Sequence, residues 1–174
     1  MSTPGWEGIL EEGEEILWQG RPDGRVSLRP SNWFMLLFGI AFGGFALFWM
    51  VMAGALGGGA FALFGLPHFL IGAGMVWSAI WWSAYRRRRS WYTLTNRNAY
   101  IATDLPIMGK RLKSWPITRD MRLEFVDEDP ATIWFASRLK KGKNGTYRVP
   151  VGFERIEDGR KVYALFREAR KQAA

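Results

Sequence analysis

Cysteine is absent from this 174-residue chain, and histidine occurs once, as His68. Without cysteine there is no disulfide, no thiol nucleophile and no Cys-ligated zinc or iron–sulfur site. A single histidine leaves the usual acid–base and nucleophilic sets incomplete. The Gly-x4-Gly-Lys-Ser/Thr phosphate loop, the His-Glu-x-x-His metal helix and the Gly-x-Ser-x-Gly nucleophile elbow are all missing. So is the Ser-Thr-Arg-Thr phosphate loop of carbamoyltransferases. An enzyme is therefore the last of the readings to consider, and neither a cofactor nor a metal is expected.

Charge is missing as well, but only locally. From Asn32 to Tyr85 there is no Lys, Arg, Asp or Glu in 54 consecutive positions. A mean hydropathy of −0.11 hides this, because it averages two unlike parts of the chain. The remaining charge is uneven. Residues 1–31 carry three Arg against six acids, whereas residues 86–174 carry 21 Lys and Arg against 10 acids. A basic excess beside an apolar segment points to an anionic lipid surface as readily as to nucleic acid. Residues 1–28 contain acids and no apolar run, so no signal peptide is predicted there.

What is present in the uncharged segment is enough for two membrane spans. A bilayer core of about 30 Å needs roughly 20 apolar residues as helix. Spans are predicted at 33–53 and 66–85, forming a transmembrane helical hairpin over residues 32–85. Gly57-Gly-Gly59 supplies the turn between them, and Pro67 suits the first turn of the second helix. Neither segment has the polar face that a helix on a soluble protein needs. Arg21, Arg25 and Arg29 precede the first span and Arg86 to Arg89 follow the second, while the connection has no Lys or Arg. The positive-inside rule places both termini in the cytoplasm and makes the chain a multi-pass protein of the inner (cytoplasmic) membrane. Trp33, Trp77, Trp81, Trp82 and Tyr85 lie toward that same side, the last three as an interfacial aromatic belt. Gly39 with Gly43, and Gly74 with Ser78, are small-xxx-small pairs that let helix backbones approach. They are assigned to packing of the two spans, with homodimerisation as the alternative. His68 falls at the outer end of the second span, where an interfacial structural role is expected.

Beyond the arginines the periodicity changes to that of strands. Strands are predicted at 91–95, 99–103, 109–117, 121–126, 132–136 and 147–151, with turns at Asn96-Arg-Asn98, Asp127-Glu-Asp-Pro130 and Asn144-Gly145. Asp127, Glu128 and Asp129 are read as a solvated turn. Val162, Leu165, Phe166 and Ala169 then recur at helical spacing, giving a helix over 161–171 with Asp158 as its N-cap. Residues 86–174 thus form an antiparallel β-domain closed by a C-terminal helix. About 85 residues bury a marginal core, so Glu15-Ile-Leu-Trp-Gln19 in the N-terminal segment 1–31 is predicted to add a strand to that sheet.

Three pieces of the chain resemble the bacterial PH-domain family in its membrane-anchored form. They are Glu15-Ile-Leu-Trp-Gln-Gly-Arg-Pro22, Tyr92-Thr-Leu-Thr-Asn-Arg97, and Phe153-Glu-Arg-Ile-Glu-Asp158 together with Val162-Tyr-Ala-Leu-Phe166. The likeness covers most of the chain, in the same order of parts. It implies an α+β membrane protein: a two-helix transmembrane hairpin plus a PH-like bent sheet of seven strands capped by a helix. It implies no catalytic residues.

The candidate binding groups are basic. Arg86, Arg87, Arg88 and Arg89 serve topology first and lipid headgroups second. Lys110, Arg111 and Lys113 flank one strand, and Lys140, Lys141 and Lys143 crowd one hairpin loop. These groups would engage anionic headgroups or a partner; the alternative is a plain solvated basic surface. Trp115, Trp134 and Tyr147 offer stacking faces, but nucleic acid is the weaker reading because aromatic strand residues usually belong to the core. The leading expectation is a non-enzymatic membrane-tethered module that binds a protein partner, itself or anionic lipid. An accessory subunit of a membrane transport or envelope-stress complex is the second.

Overall fold

A computed structural model describes residues 5–28, 32–106, 108–142 and 145–173. The chain forms two compact units, one from Met1–Asp23 with Arg87–Ala174 and the other from Gly24–Arg86.

The second unit is helical. Helix α1 spans Trp33–Ala55, a seven-residue 3-10 segment follows at Gly59–Gly65, and helix α2 spans Leu66–Arg88. Both predicted segments are helical, and both helices run on, α1 by two residues and α2 by three into the arginines. Pro67 lies in the first turn of α2 as expected. Both helices are long and apolar enough to cross a membrane. Their large side chains are outward: Phe34 is 79% exposed and Phe45 68%. Phe34, Phe38 and Phe42 stack in a ridge along α1 at four-residue spacing. What the two helices bury before the arginines is small: Gly39, Gly43 and Ala46 on α1, Gly72, Ala79 and Ala84 on α2. The helices run antiparallel. Ser78 Oγ reaches Met35 Sδ at 3.8 Å, the Phe42 and His68 rings lie 5.8 Å apart, and Asn32 Nδ2 donates to the Ala79 carbonyl at 2.9 Å.

One predicted packing residue lies outside the contact between the two helices. Gly74 is exposed with open space around it, and Gly72 takes its place. A Cβ on Gly72 would stand 2.6 Å from the Gly43 Cα, so the two backbones meet there. Gly39 and Gly43 do line the contact, and Ser78 faces α1. The choice between positions 72 and 74 is a matter of helix phase, about 200° apart at 3.6 residues per turn.

The other unit has two antiparallel sheets. Strands β1 (Ile16–Gly20), β2 (Ser90–Thr95), β3 (Asn98–Leu105) and β4 (Gly109–Pro116) form a four-stranded sheet in that order. Strands β5 (Glu124–Val126), β6 (Ala131–Gly142) and β7 (Gly145–Ile156) form a three-stranded one. The N-terminal strand therefore pairs with β2, Gln19 opposite Thr93, as predicted from its unexplained apolar residues. Strand lengths differ from expectation. β5 keeps only three residues of the predicted 121–126, whereas β6 and β7 reach 12 residues each against five predicted.

Helix α3 (Gly159–Gln172) closes the unit with Val162, Phe166 and Ala169 buried. Phe153 is the hub of the core. Its ring lies 4.8 Å from Tyr92, 5.1 Å from Phe135, 5.4 Å from Phe166 and 5.7 Å from Trp18. Trp115 packs on Phe135 from the sheet edge, and Trp134 is half-buried. Trp115 is thus committed to packing, whereas Tyr147 is 50% exposed. Asp158 sits at the N-cap but makes no side-chain cap; its carboxylate instead accepts from Trp18 Nε1 at 3.3 Å.

Candidate functional site

The predicted basic residues fall into three structurally different groups. The arginines after α2 are not equivalent. Arg86, Arg88 and Arg89 are exposed. Arg87, expected to serve topology and headgroups, is instead 2% exposed, and its Nε donates to the Asp23 carbonyl at 2.9 Å. A side chain so enclosed has no headgroup to reach. Asp23 in turn takes Arg155 Nη2 on its carboxylate at 3.0 Å and donates its own N–H to the Arg155 carbonyl at 2.7 Å. This staple holds together the ends of the sheet unit's chain on either side of the apolar segment.

Lys110, Arg111 and Lys113 lie on β4, an edge strand of its sheet, with nearly every position exposed. Strand alternation divides them. Lys110 sits opposite Asp104, whereas Arg111 and Lys113 sit opposite Thr103 and Ile101 on the other face. The three do not form one patch. Charged side chains on a sheet edge also discourage pairing with foreign strands, which accounts for them without a ligand.

Lys140 and Lys141 lie on the long β6–β7 ribbon, and Lys143 is outside the described residues. β5 pairs only with Thr132, Ile133 and Trp134. From Ser137 opposite Pro150 to Gly142 opposite Gly145, the ribbon has two strands and, among the described residues, no third. Arg138, Lys140, Lys141 and Arg148 are all exposed there, with no acid among the described residues of that section. Asp127, in the acidic turn, is exposed and pairs with Arg160 at 3.0 Å. Among the described residues no group of acids and histidine is placed to hold a metal ion.

Two further features carry no local sequence signal. Glu14 is 8% exposed and is surrounded by donors: Thr95 Oγ1, Asn98 Nδ2 at 3.0 Å, Tyr100 OH at 3.1 Å and the Glu11 N–H at 3.0 Å. Burial pushes its carboxyl up, but the hydrogen bonds from Thr95, Glu11, Asn98 and Tyr100 outweigh this and hold it below the ordinary carboxylate value. The Tyr100 phenol is pushed up to about 12, first by burial and then by the Glu14 charge and hydrogen bond. Glu14 thus fastens the N-terminal segment to the outer face of the four-stranded sheet. Beside it, under Trp6 and Ile9, lies a cleft of about 790 Å3 floored by Trp91, Tyr100, Ala102 and Leu112. Arg21 stands over the Trp91 ring, 4.8 Å from its centroid.

Compared with family models, with curated proteins and with solved structures, the chain matches none.

Proposed function

We propose that this chain is a membrane-tethered, non-enzymatic binding module, with α1 and α2 spanning the cytoplasmic membrane and the sheet unit held at its inner face. One observation carries the reading. The 54 uncharged residues fold as two helices whose apolar side chains stay outward, so that water is the wrong solvent for them. The segment is inserted between β1 and β2, which are hydrogen-bonded neighbours. That pairing supports a reading in which both crossings of the membrane surface lie on the same side, and the positive-inside rule applied to the flanking arginines favours the cytoplasm for that side. The bacterial PH-like reading of the sheet unit rests on the sequence resemblance, on seven strands in four-plus-three pairing and on a single closing helix. The backbone pairing divides between two sheets where the resemblance implies one bent sheet. The work of such a module is to bind a protein partner, another copy of itself or anionic lipid.

Topology is tested with single cysteines, which are unique in a chain that has none. A Gly57→Cys variant should react with an impermeant maleimide on intact cells, and a Thr146→Cys variant only after permeabilisation. Labelling of Thr146→Cys from outside, or recovery of the wild-type chain in the aqueous fraction without detergent, would overturn the reading. Crosslinking in native membranes then identifies what the sheet unit holds.

A further inference from the structure

We propose that the outer half of the β6–β7 ribbon, Ser137–Lys141 with Thr146–Pro150, is an anionic-lipid probe that enters the headgroup layer. This rests on the reading that α1 and α2 lie in a bilayer. The ribbon is longer than the sheet requires. Its inner half, through Val151 and Phe153, packs on the core, but from Ser137 to Pro150 it leaves the core with both faces exposed. The inner half is held by the core, and the outer half presents two strands with, among the described residues, nothing of the chain covering them, which leaves both faces for an external surface.

The side chains state which surface. By register, Arg138, Lys140, Tyr147 and Val149 share one face, while Leu139, Lys141, Thr146 and Arg148 share the other. Each face thus has two cations and one prominent apolar side chain: Tyr147, 50% exposed, on the first, and Leu139, 67% exposed, on the second. A folded protein or a nucleic acid strand would cover one face and leave the other pair of cations in water. An interfacial lipid layer surrounds an inserted ribbon on both faces. There the ammonium and guanidinium groups meet phosphates while Leu139 and the Tyr147 ring reach the acyl boundary. Tyrosine is suited to this position because its ring is apolar and its hydroxyl is wet. The basic strand β4 is paired along its whole length with β3 in the four-stranded sheet and serves as the internal control.

The test uses the full chain in lipid nanodiscs, with a fluorophore on Thr146→Cys and nitroxide-labelled headgroups in the bilayer. Discs of neutral phosphatidylcholine are compared with discs containing phosphatidylglycerol. Quenching should be at least several-fold stronger in the anionic discs and should fall as salt is raised, since exposed charges are screened. The K140E/K141E pair should reduce anionic quenching to the neutral level, and K110E/R111E should leave it unchanged. Circular dichroism of each variant checks the fold, and the salt dependence of the wild-type chain decides the matter if a variant is misfolded. Equal quenching in both lipids, or loss of quenching in K110E/R111E alone, overturns the proposal. Energy transfer between donor- and acceptor-labelled chains in one neutral disc would identify a second copy as the occupant and overturn it also. Wild-type chain recovered outside the discs would refute the membrane reading itself, whereas incorporated chain without anionic quenching refutes the ribbon proposal alone.

Discussion

Arg87 Nε and the Asp23 carbonyl, 64 positions apart in sequence, are joined by a hydrogen bond of 2.9 Å within the sheet unit. The guanidinium is almost wholly enclosed, in contrast to its neighbours Arg86 and Arg88. Arg87→Ala should therefore destabilise the sheet unit by roughly 1.5–3 kcal/mol, the range for removing a charged hydrogen-bond partner from a buried site. Arg88→Ala should stay within about 0.5 kcal/mol of wild type. Thermal unfolding in detergent, followed by circular dichroism of the strands, separates the two. Equal melting temperatures would mean that Arg87 is dispensable.

Gly72 and Gly74 make an internal comparison of helix faces. A side chain at 72 enters the space of the Gly43 backbone, whereas one at 74 meets nothing. Gly72→Val should cost roughly 1–3 kcal/mol through overpacking, and Gly74→Val little. Titration with a denaturing detergent, read by the loss of helix–helix proximity, measures both. A larger effect at 74 would show that the helices pack through another face.

The Glu14 clasp should depend on pH in a defined direction. Its carboxyl value is lower in the folded chain than in the unfolded one. Its contribution is thus complete above the ordinary carboxylate range and is lost as pH falls through the depressed value. Tyr100 works oppositely. Its contribution holds below the usual phenol value of about 10 and disappears as pH rises through about 12. Hydrogen-exchange protection at the Glu11 and Glu14 amides, taken relative to the intrinsic rate at each pH, should be high between these limits and fall in acid. In Glu14→Gln the acid-induced change should be absent. An unaltered acid response in that variant would assign it to another group.

Trp18 joins the N-terminal strand to the core through its ring and to α3 through its N–H. Its ring packs on Phe153, and Nε1 donates to Asp158. Trp18→Ala should cost roughly 3–5 kcal/mol, and Trp18→Phe, which loses chiefly the hydrogen bond, roughly 0.5–1.5 kcal/mol. Denaturation midpoints of the two variants test this order. Deleting residues 1–22 should be at least as damaging as Trp18→Ala; unchanged stability would show that β1 is an accessory.

Several features were legible from local residues alone. The absence of charge from Asn32 to Tyr85 located both apolar helices, because backbone groups in an apolar setting are satisfied within a helix. Period-two alternation found the strands, and the apolar run at Ile16–Trp18 announced β1 although its partner lies past the whole hairpin. The site residues were less legible. Lys140 and Lys141 were found as a basic loop, but their placement on opposite faces of a free ribbon depends on where β5 ends.

The sequence by itself determined which segments avoid water, which alternate and where the turns fall, since each is a property of neighbouring side chains. Tertiary structure decided what depends on residues far apart: that Gly72 and not Gly74 meets the other helix, that Arg87 is enclosed, and that Glu14 finds Thr95, Asn98 and Tyr100, 81 to 86 positions away. Composition assigns a residue its preferred solvent, but only the packed backbone fixes which groups come within hydrogen-bonding or van der Waals reach.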